Sequence, residues 1–166
     1  MPPILSIVGV SDSGKTTLIV KLVPELKRRG YRIGTIKHDA HGFEIDYEGK
    51  DTYRHFHAGA DAVAISSSAK MALIKRLEEP LSLYEIVDRF LGEMDLVITE
   101  GFKRMDAPKI EMYRSVLNDG PICTDEDNRI AVVGDVRVPV DVPQFDLDDV
   151  QGVADFIERR FLKRMS

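Results

Sequence analysis

The stretch ILSIVGVSDSGKTT at residues 4–17 constrains the fold of this chain more than any other. An apolar run leads into Gly9, four residues follow, and Gly14, Lys15 and Thr16 come next. This spacing is typical of a phosphate loop, in which a glycine-rich turn joins a buried strand to a helix. The sequence therefore predicts a strand, an anion-binding loop and a helix in direct succession.

Each residue of the predicted loop has a chemical task. Glycines let the backbone approach an anion closely, and the N–H groups of the loop and the following helix point at phosphate oxygens. Lys15 is expected to reach the β- and γ-phosphates, and the Thr16 hydroxyl is expected to hold Mg²⁺. The predicted nucleotide contacts are Gly9, Ser11, Asp12, Ser13, Gly14, Lys15, Thr16 and Thr17.

Strands alternate with helices along the rest of the chain, and several strands are apolar throughout. This pattern predicts an α/β fold of the phosphate-loop NTPase type, with three layers, a mostly parallel sheet and helices on both faces. Extra strands after residue 66 and around residues 109–124 predict added antiparallel pieces. The predicted strands lie at about residues 4–9, 31–37, 62–66, 71–75, 96–99, 109–114, 122–124 and 130–134, and the predicted helices at about 14–29, 51–58, 81–91 and 148–162.

Length and composition limit the remaining possibilities. A chain of 166 residues predicts one domain spanning residues 1–166. A formal net charge of −5, without a basic patch, argues against a nucleic-acid partner. No apolar run approaches the length of a membrane span, and the single cysteine fits a reducing compartment. We therefore expect a cytoplasmic protein with no membrane partner.

A second acid is expected beside the loop. In a parallel sheet, ligands bind beyond the carboxyl ends of the strands. Glu100 follows the apolar strand at residues 96–99, whereas Asp95 precedes it. A carboxylate at the carboxyl end can hold Mg²⁺ or orient a nucleophilic water. Glu100 is therefore the predicted metal ligand and the predicted catalytic residue.

A charged segment after the second strand adds weaker candidates. Asp39, Asp46 and Asp51 are further Mg²⁺ candidates by residue type. Lys50 and Arg54 are four residues apart, so a helix would place both on one face, where they could contact phosphate. From the sequence alone, a solvated charged surface explains these residues equally well.

The histidines fall into two pairs, and their spacing fits no common zinc pattern. We therefore expect them in loops or at the surface. These residues are His38, His41, His55 and His57.

The sequence motifs do not decide whether the base of the bound nucleotide is guanine or adenine. Lys37 and Asp39 have the Lys-x-Asp spacing of a guanine-reading motif, but Ile36 precedes them where Asn or Thr is expected. Weak candidates for base contacts follow the late strands at Thr124, Asp125 and Asp135.

Taken together, several segments resemble the molybdopterin-guanine dinucleotide biosynthesis adaptor family. The resemblance covers nearly the whole chain, and its more specific parts lie outside the phosphate loop. The segments are GVSDSGKTTL at 9–18, GYRIGTIKHDAHGFEID at 30–46, GKDTYRHFHAGADAV at 49–63, DLVITEGFK at 95–103, IAVVGD at 130–135 and FDLDD at 145–149.

The resemblance implies a GTP-binding adaptor with Mg²⁺ that assists a molybdopterin guanylyltransferase. It also implies weak GTP hydrolysis at most, a homodimer, and contact with molybdopterin or its dinucleotide form. By position, Glu100 and Gly101 match the acid after the second motif strand, and the charged segment near the nucleotide or partner is matched by Asp46, Lys50, Asp51 and Arg54. Gly101, Lys50 and Arg54 are thus expected nucleotide contacts, and Asp46 is an expected metal ligand. The alternative on the same scaffold is an ATP-dependent small-molecule kinase.

Overall fold

Eight strands and four α-helices occur in the described part of the chain, which is residues 1–39 and 42–162 of this computed structural model. In chain order they are β1 Ile4–Val8, α1 Lys15–Arg28, β2 Ile33–Lys37, α2 Asp51–His57, β3 Ala62–Ser66, β4 Met71–Lys75, α3 Leu83–Phe90, β5 Leu96–Glu100, β6 Lys109–Tyr113, β7 Arg129–Gly134, β8 Gln144–Asp146 and α4 Val150–Ile157.

Six strands form one sheet in the order β2-β5-β1-β6-β7-β8. All neighbouring strands in this sheet are parallel, so their carboxyl ends share one edge. β3 and β4 form a separate antiparallel pair. This arrangement confirms the predicted α/β class with a mostly parallel sheet and added antiparallel strands.

The described chain forms two compact units. The first consists of Met1–His38 and Ile86–Ser166 and the second of Asp39–Glu85, in each case within the described residues. The first unit contains the six-stranded sheet, and the second contains α2 and the β3–β4 pair. A single domain therefore remains a prediction from chain length.

The main core of the first unit lies between the sheet and the helices α1 and α4. An apolar stripe of α1, which includes Leu18, Leu22 and Leu26, is buried against this face together with Leu5 and Ile7 of β1. Full burial of one leucine side chain contributes about 2 kcal/mol. The stripe therefore fixes α1, and with it the loop that precedes α1, on the sheet.

The C-terminus of α1 is a Schellman motif. Gly30 has a φ of +93°. Its N–H donates to the Lys27 carbonyl at 3.0 Å, and the Tyr31 N–H donates to the Leu26 carbonyl at 3.2 Å. The helix predicted at about residues 14–29 thus ends here, and it continues through Pro24 up to that point.

The second face of the sheet is partly polar. Leu91 and Met94, which follow α3, pack on this face. Their side-chain atoms lie within 3.4 Å of the position that a Cβ on Gly34 of β2 would occupy. Buried hydroxyls of Ser6 and Thr99 on adjacent strands form a hydrogen bond of 2.9 Å on this face. The segment that follows α3 thus packs against this second face.

Two local predictions are wrong. β6 is parallel to both of its neighbours and lies inside the sheet, not in an antiparallel piece. The segment 122–124 is not a strand, because Thr124 caps a 3₁₀ turn, Asp125–Asp127. The short strand β8 was not predicted, since three residues are too few to show a period.

A cluster of ion pairs joins α1 to α4. Glu25, which is 9% exposed, accepts hydrogen bonds from Arg28 at 2.8 Å and Arg29 at 2.7 Å. Arg29 also pairs with Asp155 and Glu158. The neighbouring guanidiniums of Arg28 and then Arg29 lower the pKa of Glu25 to about 2. The ionised carboxylate of Glu25 therefore helps this cluster to stabilise the packing of α1 against α4.

Replacing Glu25 with glutamine is expected to lower the Tm at pH 7, with a smaller effect as the solution becomes acidic. The folded pKa of about 2 lies below the ordinary value of 4.5, so the unfolded chain takes up a proton first. The stabilisation is thus complete above about pH 4.5 and is lost as the pH falls through about 2. Thermal unfolding across this range, with the exposed Glu78→Gln as control, measures it. A difference in Tm that does not change with pH would contradict this expectation.

Candidate nucleotide site

The backbone of the predicted phosphate loop requires glycine at two positions. Gly9 has a φ of +152°, and a Cβ there would lie 2.7 Å from the Met112 carbonyl oxygen. Gly14 has a φ of +99° and precedes α1, whose first turn has neither a capping side chain nor an acidic residue. The N-terminal N–H groups of this helix therefore remain available to an anion.

The Lys15 ammonium lies folded over the loop. It donates hydrogen bonds to the carbonyl oxygens of Gly9 at 3.0 Å and Val10 at 2.7 Å. Both acceptors are neutral, and hydrogen bonds to charged acceptors such as phosphate are stronger. In the described part of the chain, the buried Ser13 Oγ has no hydrogen-bond partner. The donor set of the loop therefore fits a phosphate group.

Thr16, Glu100 and Lys37 meet at one carboxylate oxygen. Thr16 Oγ1 donates to Glu100 Oε1 at 2.8 Å, and Lys37 Nζ lies 3.8 Å from the same oxygen. The parallel register pairs Lys37 of β2 with Glu100 of β5. A hydroxyl beside a carboxylate offers the hard oxygen ligands that Mg²⁺ prefers. Thr16 and Glu100 are thus the residues that could hold the metal.

A cavity of about 490 Å³ in the first unit contains these groups. This volume lies in the range of about 300–1,000 Å³ that small-molecule sites occupy. Of the residues around it, Lys37 alone was not predicted as a nucleotide contact, metal ligand or catalytic residue, although its place at the end of a strand was a usable signal. The lining residues are Ser11, Asp12, Gly14, Lys15, Thr16, Thr17, Lys37 and Glu100.

The turn after β5 holds the end of β2 beside Glu100. Gly101 and Phe102 both have positive φ angles, +93° and +58°, and the Gly101 N–H donates to the Ile7 carbonyl at 3.0 Å. The His38 ring lies 4.7 Å from the Phe102 ring, and the His38 N–H donates to the Glu100 carbonyl at 3.2 Å. Gly101, a predicted nucleotide contact, therefore shapes this turn.

Glu100 lies at the carboxyl edge of the sheet, as predicted. Asp95, the other acid considered, lies just before β5 at the opposite edge of the sheet. The Asp95 carboxylate accepts a hydrogen bond from the Arg32 N–H at 2.7 Å. This position gives Asp95 a role in joining two chain segments.

Asp46, Lys50 and Arg54 belong to the second unit. The Lys50 ammonium lies 5.1 Å from the centre of the Tyr47 ring. Arg54 pairs with Asp51 at 3.9 Å, with both side chains exposed. Within this unit, Asp46 and Lys50 line a cavity of about 290 Å³. Their assignment to the nucleotide or the metal stays a prediction.

Two of the described histidines contact aromatic rings. His57 stacks on Tyr53 at 3.8 Å, and His38 contacts Phe102. His41 lies outside the described residues. Across residues 1–39 and 42–162, no group of three or more His, Cys, Asp or Glu side chains is arranged to hold a metal ion.

The late-strand candidates have structural partners. Both oxygens of Asp135 accept hydrogen bonds from Ser115, one from its N–H at 2.9 Å and one from its hydroxyl at 3.1 Å. The Ser115 N–H is the main cause that lowers the pKa of Asp135. Thr124 and Asp127 form a capping box. The side chain of Asp125 lies outside the described part, and the base-reading residues remain open.

Comparisons with known proteins agree with the geometry. Residues 4–135 match the family "Molybdopterin guanine dinucleotide synthesis protein B". The molybdopterin-guanine dinucleotide biosynthesis adapter proteins of Escherichia coli (strain K12) and Haemophilus influenzae (strain Rd) are 38% and 36% identical. The match to the Escherichia coli protein covers 95% of this chain and 92% of that protein. The match to the Haemophilus influenzae protein covers 94% of this chain and 88% of that protein.

The solved crystal structure of Bacillus subtilis MobB has the same fold. It superposes with a TM-score of 0.76 at 27% identity, covering 98% of this chain and 99% of the other. None of the helices in the described residues has the length and apolar content needed to cross a membrane. From the family match and the two relatives, we conclude that this chain belongs to the molybdopterin guanine dinucleotide synthesis protein B family.

Proposed function

We propose that this chain binds GTP with Mg²⁺ and acts as an adaptor in molybdenum cofactor biosynthesis. Its direct partner would be the guanylyltransferase that attaches GMP to molybdopterin. Membership of the family supports the adaptor role. The observation that carries the nucleotide site is the meeting of Lys15, Thr16 and Glu100 around one cavity at the carboxyl edge.

The residues of the cavity would act mainly by positioning charge. The loop N–H groups and Lys15 would hold the phosphates, and Thr16 and Glu100 would supply oxygen ligands to Mg²⁺. When bound, the metal neutralises negative charge on the phosphates. Glu100 would also orient a water for attack on the terminal phosphate, and we expect GTP hydrolysis to be slow at most.

Replacing Glu100 with glutamine is expected to remove most of the Mg²⁺ dependence of GTP binding. The amide keeps the shape of the side chain but loses the charge that attracts the metal. Losing a charged contact predicts about a 10- to 100-fold weaker affinity in Mg²⁺, with little change in a chelator. Calorimetric titrations with Mg²⁺ and with EDTA measure both.

The control for Glu100→Gln is Asp95→Asn, which changes the acid at the other end of the same strand. This control should keep the full Mg²⁺ dependence. A Glu100→Gln protein whose GTP affinity still rises with Mg²⁺ as in the wild type would show that the metal is held elsewhere.

The adaptor role is tested with a purified molybdopterin guanylyltransferase. Immobilised wild-type protein should retain the enzyme when Mg²⁺ and a non-hydrolysable GTP analogue are present, and Lys15→Ala should retain less. No retention by the wild type under any nucleotide condition would refute the adaptor proposal. Rapid ATP consumption with a metabolite would instead support a small-molecule kinase.

The homodimer, the cytoplasmic location and contact with molybdopterin complete this proposal. Exposed apolar side chains on the β3–β4 pair, among them Ile65, Met71 and Leu73, support self-association. A two-stranded sheet with free edges can pair with another chain. Sedimentation of the purified protein should give twice the mass of one chain, and a monomer would refute the dimer.

A further inference from the structure

Lys37 places a second positive charge in the cavity. It is the last residue of β2, and the register sets it beside Glu100 at the end of β5. Lys15 is the other cation among the described lining residues, and its ammonium binds two loop carbonyls. The two lysines thus approach the cavity from different elements, Lys15 from α1 and Lys37 from β2.

The backbone of Lys37 is held in place by its neighbours, whereas its side chain is not held by burial. The side chain is 66% exposed, while the next residue, His38, is held by the Glu100 carbonyl and by the Phe102 ring. Phe102 adopts a left-handed backbone conformation that is unusual for a bulky residue. The anchoring therefore holds the base of the lysine next to Glu100 and leaves the ammonium free to move.

The ion pair of Lys37 is weak in the described structure. Its ammonium lies 3.8 Å from Glu100 Oε1, and that oxygen already accepts the 2.8 Å hydrogen bond from Thr16. Because the separation is long and the lysine is 66% exposed, this ion pair contributes little free energy. A phosphate in the cavity would therefore compete well for the Lys37 charge.

The side of the cavity on which Lys37 lies indicates which phosphate it meets. In a phosphate-loop site the glycine-rich loop wraps the inner phosphates, and the residues that would hold the metal lie towards the terminal phosphate. Lys37 lies against the acid on the metal side and does not contact the loop carbonyls that bind Lys15. The terminal phosphate is thus the nearest anionic group expected there.

We propose that Lys37 is the residue by which this site distinguishes a nucleoside triphosphate from a diphosphate. Its ammonium pairs with Glu100 in the described structure and binds the terminal phosphate when a triphosphate occupies the cavity. This inference rests on the proposed nucleotide function and adds a specificity residue to it.

The test compares two ligands on two lysine variants. Lys37→Met keeps the length of the side chain and removes its charge, and the exposed Lys27→Met on α1 is the matched control. Affinities for Mg²⁺ with a non-hydrolysable GTP analogue and with GDP are measured by calorimetry. We expect Lys37→Met to weaken the triphosphate about 10- to 100-fold, as for one charged hydrogen bond. GDP affinity should change by less than about twofold in the same variant.

The outcomes separate this inference from the proposed function. Equal losses for both ligands, or no loss for either, would overturn the role of Lys37 while leaving GTP binding intact. Partial recovery of triphosphate affinity in Lys37→Arg would support the role of Lys37. A Lys37→Arg protein that recovers no triphosphate affinity and also loses GDP binding would oppose that role. If the wild type binds adenine nucleotides instead, the proposed function fails, and ATP-analogue and ADP titrations still test Lys37.

Discussion

Replacing Lys15 with alanine is expected to weaken GTP binding by at least two orders of magnitude. The ammonium would contact two phosphates, and each hydrogen bond to a charged group contributes about 1.5–3 kcal/mol. In the described structure the same ammonium binds only the carbonyls of Gly9 and Val10, which the nucleotide would replace. Calorimetry with Mg²⁺ and GTP measures the loss.

The control for Lys15→Ala is Lys27→Ala in the last turn of the same helix. It removes an equal charge from α1 at a distance from the loop and should bind GTP as the wild type does. Thermal unfolding of both variants without nucleotide separates a binding defect from a folding defect. Unchanged GTP affinity in a folded Lys15→Ala protein would show that the loop does not bind phosphate.

Replacing Glu111 with alanine is expected to lower the free energy of unfolding by about 3–5 kcal/mol, the range for breaking a buried ion pair. Glu111 is fully buried and pairs with the nearly buried Arg129 at 2.9 Å. It also accepts hydrogen bonds from the N–H groups of Ile122 and Cys123. Its removal would leave a guanidinium in the interior without its counterion.

A double-mutant cycle isolates the charge effect. Arg129→Met alone should also be costly, whereas the double variant should cost less than the sum of both single changes. Denaturant unfolding measures all four proteins. Strictly additive losses, or single losses below about 1 kcal/mol, would show that the pair contributes little.

The Glu111–Arg129 pair also explains the segment at residues 122–124. The Arg129 guanidinium donates to the Cys123 carbonyl at 2.8 Å, so the pair holds this segment from both sides. Burial is the main cause that raises the pKa of the Cys123 thiol to about 12. Cys123 therefore behaves as a buried small residue and not as a nucleophile.

Local patterns explain what was predictable about the site. The loop residues and α1 follow from one continuous motif, and Glu100 follows from the rule that ligands meet the carboxyl ends of parallel strands. Lys37 satisfied the same rule, since it ends β2. It was not assigned because the sequence does not say which strand lies next to β5.

Strand order and direction are nonlocal, and here the sequence was misleading. In β6 the polar residues Lys109 and Glu111 alternate with apolar ones, which is typical of a half-exposed antiparallel strand. Both are buried instead. The Lys109 ammonium donates to the carbonyls of Met105 at 2.6 Å and Asp127 at 2.7 Å. Asp127 lies 18 residues further along the chain, so periodicity alone could not identify this partner.

The most direct test of the account is a competition between GTP and ATP for the wild-type protein with Mg²⁺. A fluorescent guanine nucleotide is bound first, and each unlabelled nucleotide is titrated against it. We predict displacement by GTP at concentrations at least tenfold lower than by ATP, with Lys15→Ala failing to bind the probe. Equal or stronger displacement by ATP, or no probe binding by the folded wild type, would contradict a GTP site at this loop.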